Sequence, residues 1–325
     1  MSYWRPKRVL VTGATGLAGS WLIKKLLERD ASVAAFMRDC DPQSELVRGG
    51  SLNRISVVNG SLENYRDAER AICDNEIDTV FHLGDQTAAG AALRNPLGTF
   101  EANIRGTWNV LEACRVHGDL VHRVIVASSE KAYGPGMALP HVEEMPALGR
   151  FPYDVSKSCA DLIAQSYFHT YGLPVAIARC GNIYGGGDLN WSRIVPGTIR
   201  SLHWGNRPVL RSDGMYTRDY VYVEDAVQAY LAIGESLHRD DVRGEAFNFG
   251  PAHPFRAREI VDALRGMMHR EDLEPILLDE AQAEIRDQYA SSSKAEKLLN
   301  WKPVYTLEDG LTESVEWYRR FFNAA

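Results

Sequence analysis

The run Arg8-Val-Leu-Val-Thr12, then Gly13-Ala-Thr-Gly16-Leu-Ala-Gly19, then the apolar-periodic stretch from Ser20 to Glu28, decides the fold. It reads strand, tight turn, helix. Glycines at 13, 16 and 19 allow a sharp turn, close backbone approach to a pyrophosphate and tight packing of helix on strand. The free N–H groups at the helix start favour phosphate. Because strand and helix flank the glycines as that mechanism requires, the turn reads as a dinucleotide site, with Gly13, Thr15, Gly16 and Leu17 beside the cofactor.

Outward from this turn the alternation continues. Strands are predicted at Ser32 to Phe36, Ile55 to Val58, Thr79 to Leu83, Arg123 to Ala127 and Val175 to Arg179, with helices between them such as Tyr65 to Asp74 and Phe100 to His117. This pattern predicts an α/β fold, a Rossmann-type doubly wound parallel sheet, with ligands at the carboxyl ends of its strands. Glycine and proline density rises from Gly181 to Gly214, and short mixed elements follow. The expected division is a dinucleotide-binding domain over 1–185, to which part of 215–250 returns, and a smaller mixed α/β substrate lobe over most of 186–325.

Composition excludes several classes. With 325 residues, 45% of them hydrophobic, the chain can bury one large core or a core plus a lobe. No apolar run approaches the ~18 to 20 residues that cross a bilayer, and the start lacks a signal-peptide pattern, so a cytoplasmic protein is expected. Cysteines at 40, 73, 114, 159 and 180 show no CxxC spacing and read as reduced thiols without a metal site. A net charge of −7 without a long basic run predicts neither nucleic acid nor membrane as a partner. Anionic ligands must then meet local arginines.

Chemistry is suggested by Val126-Ala-Ser-Ser-Glu-Lys-Ala-Tyr-Gly134 and by Tyr153-Asp-Val-Ser-Lys157. On a helix from Pro152 to Tyr171, Tyr153 and Lys157 share a face one turn apart. The ammonium is expected to lower the phenol from its ordinary ~10 and make Tyr153 a base, with Ser129 hydrogen-bonding the same substrate oxygen.

Together, Gly13-x-x-Gly16-x-x-Gly19, Asn103-Ile-Arg-Gly-Thr107, Tyr153-x-x-x-Lys157, Arg179-x-x-Asn182-x-Tyr184-Gly185, Arg218-Asp219-Tyr-Val-Tyr-Val-Glu-Asp225 and Leu299-Asn-Trp301-Lys-Pro303 resemble the extended short-chain dehydrogenase/reductases that act on nucleotide sugars. The resemblance spans nearly the whole chain. Ser129-Glu130-Lys131 is most similar to the Ser/Thr-Asp-Lys of CDP-glucose 4,6-dehydratases, with Glu in place of Asp, and less so to the triplet of GDP-mannose dehydratases. The segments Gln86 to Pro96 and Ser158 to Ser166 look like the CDP-glucose group too.

The resemblance implies a tightly bound, recycled NAD(P) and a nucleotide-diphosphate sugar as substrate. Tyr153 and Ser129 would serve oxidation at C4, Lys131 would take the C5 proton and Glu130 would protonate the departing C6 hydroxyl. In the bland alternative Glu130 and Lys131 form a structural ion pair, and the enzyme is a 4-epimerase or decarboxylase. A regulatory protein that binds NAD(P) without turnover is a more distant alternative.

Around the cofactor, Ser61, Leu62, Leu83, Gly84, Gln86, Asn103 and Ser128 are expected contacts together with Tyr153 and Lys157. Met37 stands where an acidic residue would mark NAD, followed by Arg38 and Asp39. Arg38 could hold a 2′-phosphate, or Asp39 could bond the ribose while Arg38 stacks on adenine; the reading leans to NADP. Asp85 departs from the small residue usual in this family and reads either as substrate-facing or as a solvated loop carboxylate. Asn182, Arg193, Arg218 and Arg286 are the candidates for the diphosphate, since guanidinium forks match phosphate oxygens. His82 and His169 read as packing residues. Trp108, Leu111, Ala113, Leu162, Tyr167 and Phe168 suggest the helical face of a homodimer, with core packing as the alternative.

Overall fold

The computed structural model describes residues 2–251, 253–280 and 284–323. Its centre is a seven-stranded sheet made of β1 (Arg8–Thr12), β2 (Ser32–Met37), β3 (Ser56–Asn59), β4 (Thr79–His82), β5 (Arg123–Ser129), β6 (Val175–Cys180) and β7 (Ala246–Phe249). Their spatial order is β7-β6-β5-β4-β1-β2-β3, and every pairing is parallel. Parallel strands need crossovers, and the intervening helices cover both faces.

Alternation along β1 shows how the two cores form. Val9 and Val11 join a cluster with Trp21, Leu22 and Leu26 of the helix Leu17–Glu28, whereas Leu10 points the other way into a cluster with Ile72, Leu111 and Val126. Successive side chains of a strand leave opposite faces, so a sheet covered on both sides must be apolar throughout. β3, at one edge of the sheet, is the exception, and Val57 on it is exposed.

The chain winds away from β1 in both directions, to β2 on one side and β4 on the other. A crevice therefore opens beyond the carboxyl ends of β1 and β4, where such sheets bind ligands. The smaller lobe stands over it. Asn182–Tyr184 pairs with Tyr220–Tyr222, Thr217–Arg218 pairs with both Phe255–Arg256 and Asp287–Gln288, and Val209–Leu210 pairs with Ile276–Leu277. These short ladders are packed by the helices Ile194–His203, Ala257–Met267 and Leu307–Asn323. Among the described residues, no helix is long and apolar enough to cross a membrane.

Two expected elements differ. The helix predicted from Phe100 to His117 is divided into Pro96–Phe100, a π-helical turn Glu101–Arg105 and Gly106–Val116. Such turns insert one residue and re-aim side chains; here the turn carries Asn103. The apolar face expected on these helices is also smaller. Leu111 and Ala113 are fully buried in the core, and Phe168 packs so closely on Gly244 that a Cβ there would stand 2.1 Å from its ring. Only Trp108 and Leu162 of that set are exposed.

Candidate functional site

β1 delivers the chain into Gly13 with φ +69°, a conformation that L side chains rarely adopt. The spacing after it is set by contact: a Cβ on Gly19 would lie 2.1 Å from the carbonyl oxygen of Gly13. Gly16 starts the helix Leu17–Glu28 without a side-chain cap, so its first N–H groups are left for a ligand. Gly13, Thr15, Gly16 and Leu17 line one end of a cavity of about 1280 Å³ that runs beneath the smaller lobe. Cradle, helix start and cavity together fit the pyrophosphate of a dinucleotide.

Met37, Arg38 and Asp39 line the same cavity where β2 ends. Arg38 donates from Nε to Asp39 at 2.7 Å, and the Glu63 carboxylate also acts on it, so its guanidinium is held firmly cationic. Glu63 was not anticipated. Ser61, expected as a contact, turns its hydroxyl to Glu63 and lies outside the lining, whereas Leu62 is part of it. Asn103 is likewise no lining residue. Buried in its π-turn, it accepts from the Gln86 backbone N–H at 2.7 Å and donates to Gln86 O and to Ser156 Oγ. It fixes the path of Leu83-Gly84-Asp85-Gln86, which does line the cavity.

The reactive end forms where β5 stops. Ser129 caps the following turn by accepting from Lys131 N at 3.2 Å, and the turn Glu130–Tyr133 docks on the helix Pro152–Tyr171 through Ser158, which donates to Ala132 O at 2.8 Å. Pro152 at the first helical position suits that start, because its missing N–H would have no partner there. Ser128, Ser129, Lys131, Tyr153 and Lys157 thereby share one wall of the cavity.

Lys157 is buried and donates to Ala127 O at 2.9 Å, but its close partner is Asp85 at 2.5 Å; the Tyr153 ring centroid is 5.9 Å away. Asp85 is thus no solvated loop carboxylate: it lines the cavity with its Oδ2 engaged by Lys157. The expected acidic phenol is also absent. Burial pushes Tyr153 up to about 12, and the Asp85 charge opposes the help given by Lys157 and Arg193.

Glu130 stands behind this wall, not on it. Its side chain is buried, neither carboxyl oxygen has a hydrogen-bond donor, and Oδ1 of buried Asp219 is equally unserved. The two carboxyls face one another. Burial and then the Asp219 charge hold Glu130 well above the usual carboxylate range, while Asp219 is raised to about 6, chiefly by burial. A proton between them supplies the missing donor. Lys131 donates to Gln288 Oε1 at 3.0 Å, and Gln288 donates in turn to Glu130 O at 2.9 Å. Burial, with Arg218 nearby, pushes the Lys131 ammonium down. Asp154, also on the cavity wall, is raised to about 6 by burial.

Of the substrate candidates, Asn182, Arg193 and Arg218 line the cavity and Arg286 does not; Arg286 is exposed, 3.7 Å from Asp213. Arg218 is engaged by the backbone carbonyls of Thr217, Ile285 and Arg286 and by Glu284. Arg193 pairs with Asp188 at 3.0 Å. Arg211 lines the cavity unforeseen, because it sits in an irregular stretch without a motif. His82 is a core residue. It is bonded between Thr12 and Thr107 and lowered to about 3 by burial.

Comparison with known proteins agrees with this geometry. CDP-glucose 4,6-dehydratase of Salmonella typhimurium (strain LT2) is 28% identical over 98% of this chain and 92% of its own length. The structure of UDP-glucose 4-epimerase from Thermotoga maritima, solved with UDP-glucose, superposes with a TM-score of 0.86 at 26% identity, covering 97% of this chain and 99% of that one. UDP-glucuronic acid 4-epimerase from Bacillus cereus, in complex with UDP-glucuronic acid and NAD, shares the fold at a TM-score of 0.86 and 24% identity, over 96% and 99% of the two chains. The model of the NAD dependent epimerase/dehydratase family matches residues 9–250, and the chain belongs to that family.

Proposed function

We propose that this protein is a nucleotide-sugar 4,6-dehydratase, converting an NDP-hexose such as CDP-glucose to the NDP-4-keto-6-deoxyhexose. The observation that carries the reading is the pair after Ser129: a lysine on the cavity wall whose proton is loosened by burial, and a carboxyl whose proton is tightened by burial and by Asp219. Elimination needs both a base and an acid beyond Tyr153.

In this account Tyr153 takes the proton of the 4-hydroxyl, with Ser129 holding the same oxygen. Gly13 to Leu17 would hold the pyrophosphate of a nicotinamide dinucleotide, which when bound would supply the acceptor for the C4 hydride and its return to C6. The 4-keto group acidifies C5, Lys131 accepts that proton, and Glu130 protonates the C6 oxygen so that water leaves. Asn182, Arg193 and Arg211 are assigned to the diphosphate. The two carboxylates around Arg38 favour NAD over NADP, since a 2′-phosphate would meet both. Exposed Trp108 and Leu162 are assigned to a homodimer contact.

One observation favours a second reading. Glu130 lies behind the cavity lining, where it suits a 4-epimerase that uses only Ser129, Tyr153 and Lys157. The two separate by mass. Incubation with CDP-glucose, GDP-mannose, UDP-glucose and dTDP-glucose should yield a product lighter by one water from one of them, and Glu130→Gln should abolish it. A product of unchanged mass would establish the epimerase.

A further inference from the structure

We propose that Asp85 is a positioning residue of the Tyr153–Lys157 couple: its carboxylate holds the Lys157 ammonium and divides that cation between itself and the phenol, which sets how readily Tyr153 surrenders its proton. The inference rests on the reading of Tyr153 as the base.

The geometry is unequal. Lys157 is 2.5 Å from Asp85 Oδ2 and 5.9 Å from the centroid of the Tyr153 ring. The two charges act on the phenol together: Lys157 lowers it, and Asp85 beside the ammonium offsets part of that help. Both partners are shielded, with side chains 5% and 11% exposed, and solvent screens them little. Ala127 O fixes Lys157 from a third side at 2.9 Å, so the ammonium stays between its partners.

The remaining groups do not substitute for Asp85. Around the phenol stand Arg193, which lowers it, and Asp154, which raises it. Around Lys157 stand Cys180, a thiol raised to about 12 chiefly by burial, and His82, a neutral imidazole; Tyr230 is a buried phenol. Asp85 is therefore the carboxylate that competes directly for Lys157. Its loop position is fixed from below, because Asn103 pins the next residue, Gln86, at both backbone groups.

Tyrosine labelled at 13Cζ tests this without substrate. The Tyr153 resonance, identified by its loss in Tyr153→Phe, is followed against pH in the native protein and in Asp85→Asn. In the native protein it should hold its phenol position to about pH 10, the ordinary tyrosine value. In Asp85→Asn it should titrate lower by on the order of one unit, the size of a single charge effect at close range. The alkaline-rising limb of kcat/KM should move the same way. If Asp85→Asn does not fold, Asp85→Ser carries the same prediction.

A Tyr153 titration that is unchanged or moved upward would overturn the proposal, and a lowered melting temperature without that movement would leave Asp85 a purely structural counter-ion. Should no nucleotide sugar be turned over, the functional reading fails by itself. The resonance still decides the role of Asp85.

Discussion

Glu130 and Asp219, two carboxyls buried side by side, tie the stability of the fold to pH. Their folded pKa values lie above the unfolded ones, Asp219 moving from 3.8 to about 6. A group raised in this way favours the folded state fully below its unfolded pKa, and that contribution is lost as pH rises through the folded value. Asp219→Asn removes the charge that must be buried above about pH 6. It should therefore stabilise the protein at pH 8 by up to roughly 3 kcal/mol, from about 1.4 kcal/mol per pKa unit, and the gain should vanish near pH 4. Thermal unfolding at the two pH values checks this. A gain that is larger in acid would contradict it.

At this scale the residues proposed to react were legible as two motifs, and their partners were not. Ser129, Lys131, Tyr153 and Lys157 stand in two short local motifs and reach one wall. Asp219 acts on Glu130, Gln288 on Lys131 and Asp85 on Lys157, each from a distant segment, and nothing local to a motif encodes those contacts. The phenol shows the cost: spacing supplied the nearby lysine that lowers it, but not the burial that outweighs that help or the Asp85 charge that opposes it.

Among the elements, the turn between Arg8–Thr12 and Leu17–Glu28 is shaped by close backbone contact, beneath the apolar packing of strand on helix. Gly19→Ala forces a Cβ against Gly13 O, where 2.1 Å is available, so helix and strand must separate. The expected result is a loss of about 1–3 kcal/mol in denaturant unfolding, together with weaker binding of the dinucleotide by calorimetry. Normal stability with normal binding would refute this account of the turn. Helix Pro152–Tyr171 was readable in full because proline marks its first position and its spacing is regular. The turn Glu101–Arg105 was not, since one inserted residue leaves the apolar pattern on either side nearly intact. β7 has four residues and is recognised by its pairing with β6.

The whole molecule places its charges as a filter for ligands. The chain is acidic overall, with a net charge of −7, and Arg38 at the adenosine end of the cavity is countered by Asp39 and Glu63. NAD should then bind at least about tenfold more tightly than NADP, a difference near 1.4 kcal/mol. Titration of the apoprotein with each measures it. Equal affinity would restore the phosphate-binding role first considered for Arg38.

If the reaction is elimination, Lys131 removes a proton from C5 and solvent later replaces it. Running the reaction with CDP-glucose in deuterium oxide and examining the isolated product by mass and NMR tests this. The expected product has lost one water and carries one deuterium at C5, and neither change occurs in Lys131→Met; a product that keeps its oxygen and carries no deuterium on carbon would rule elimination out.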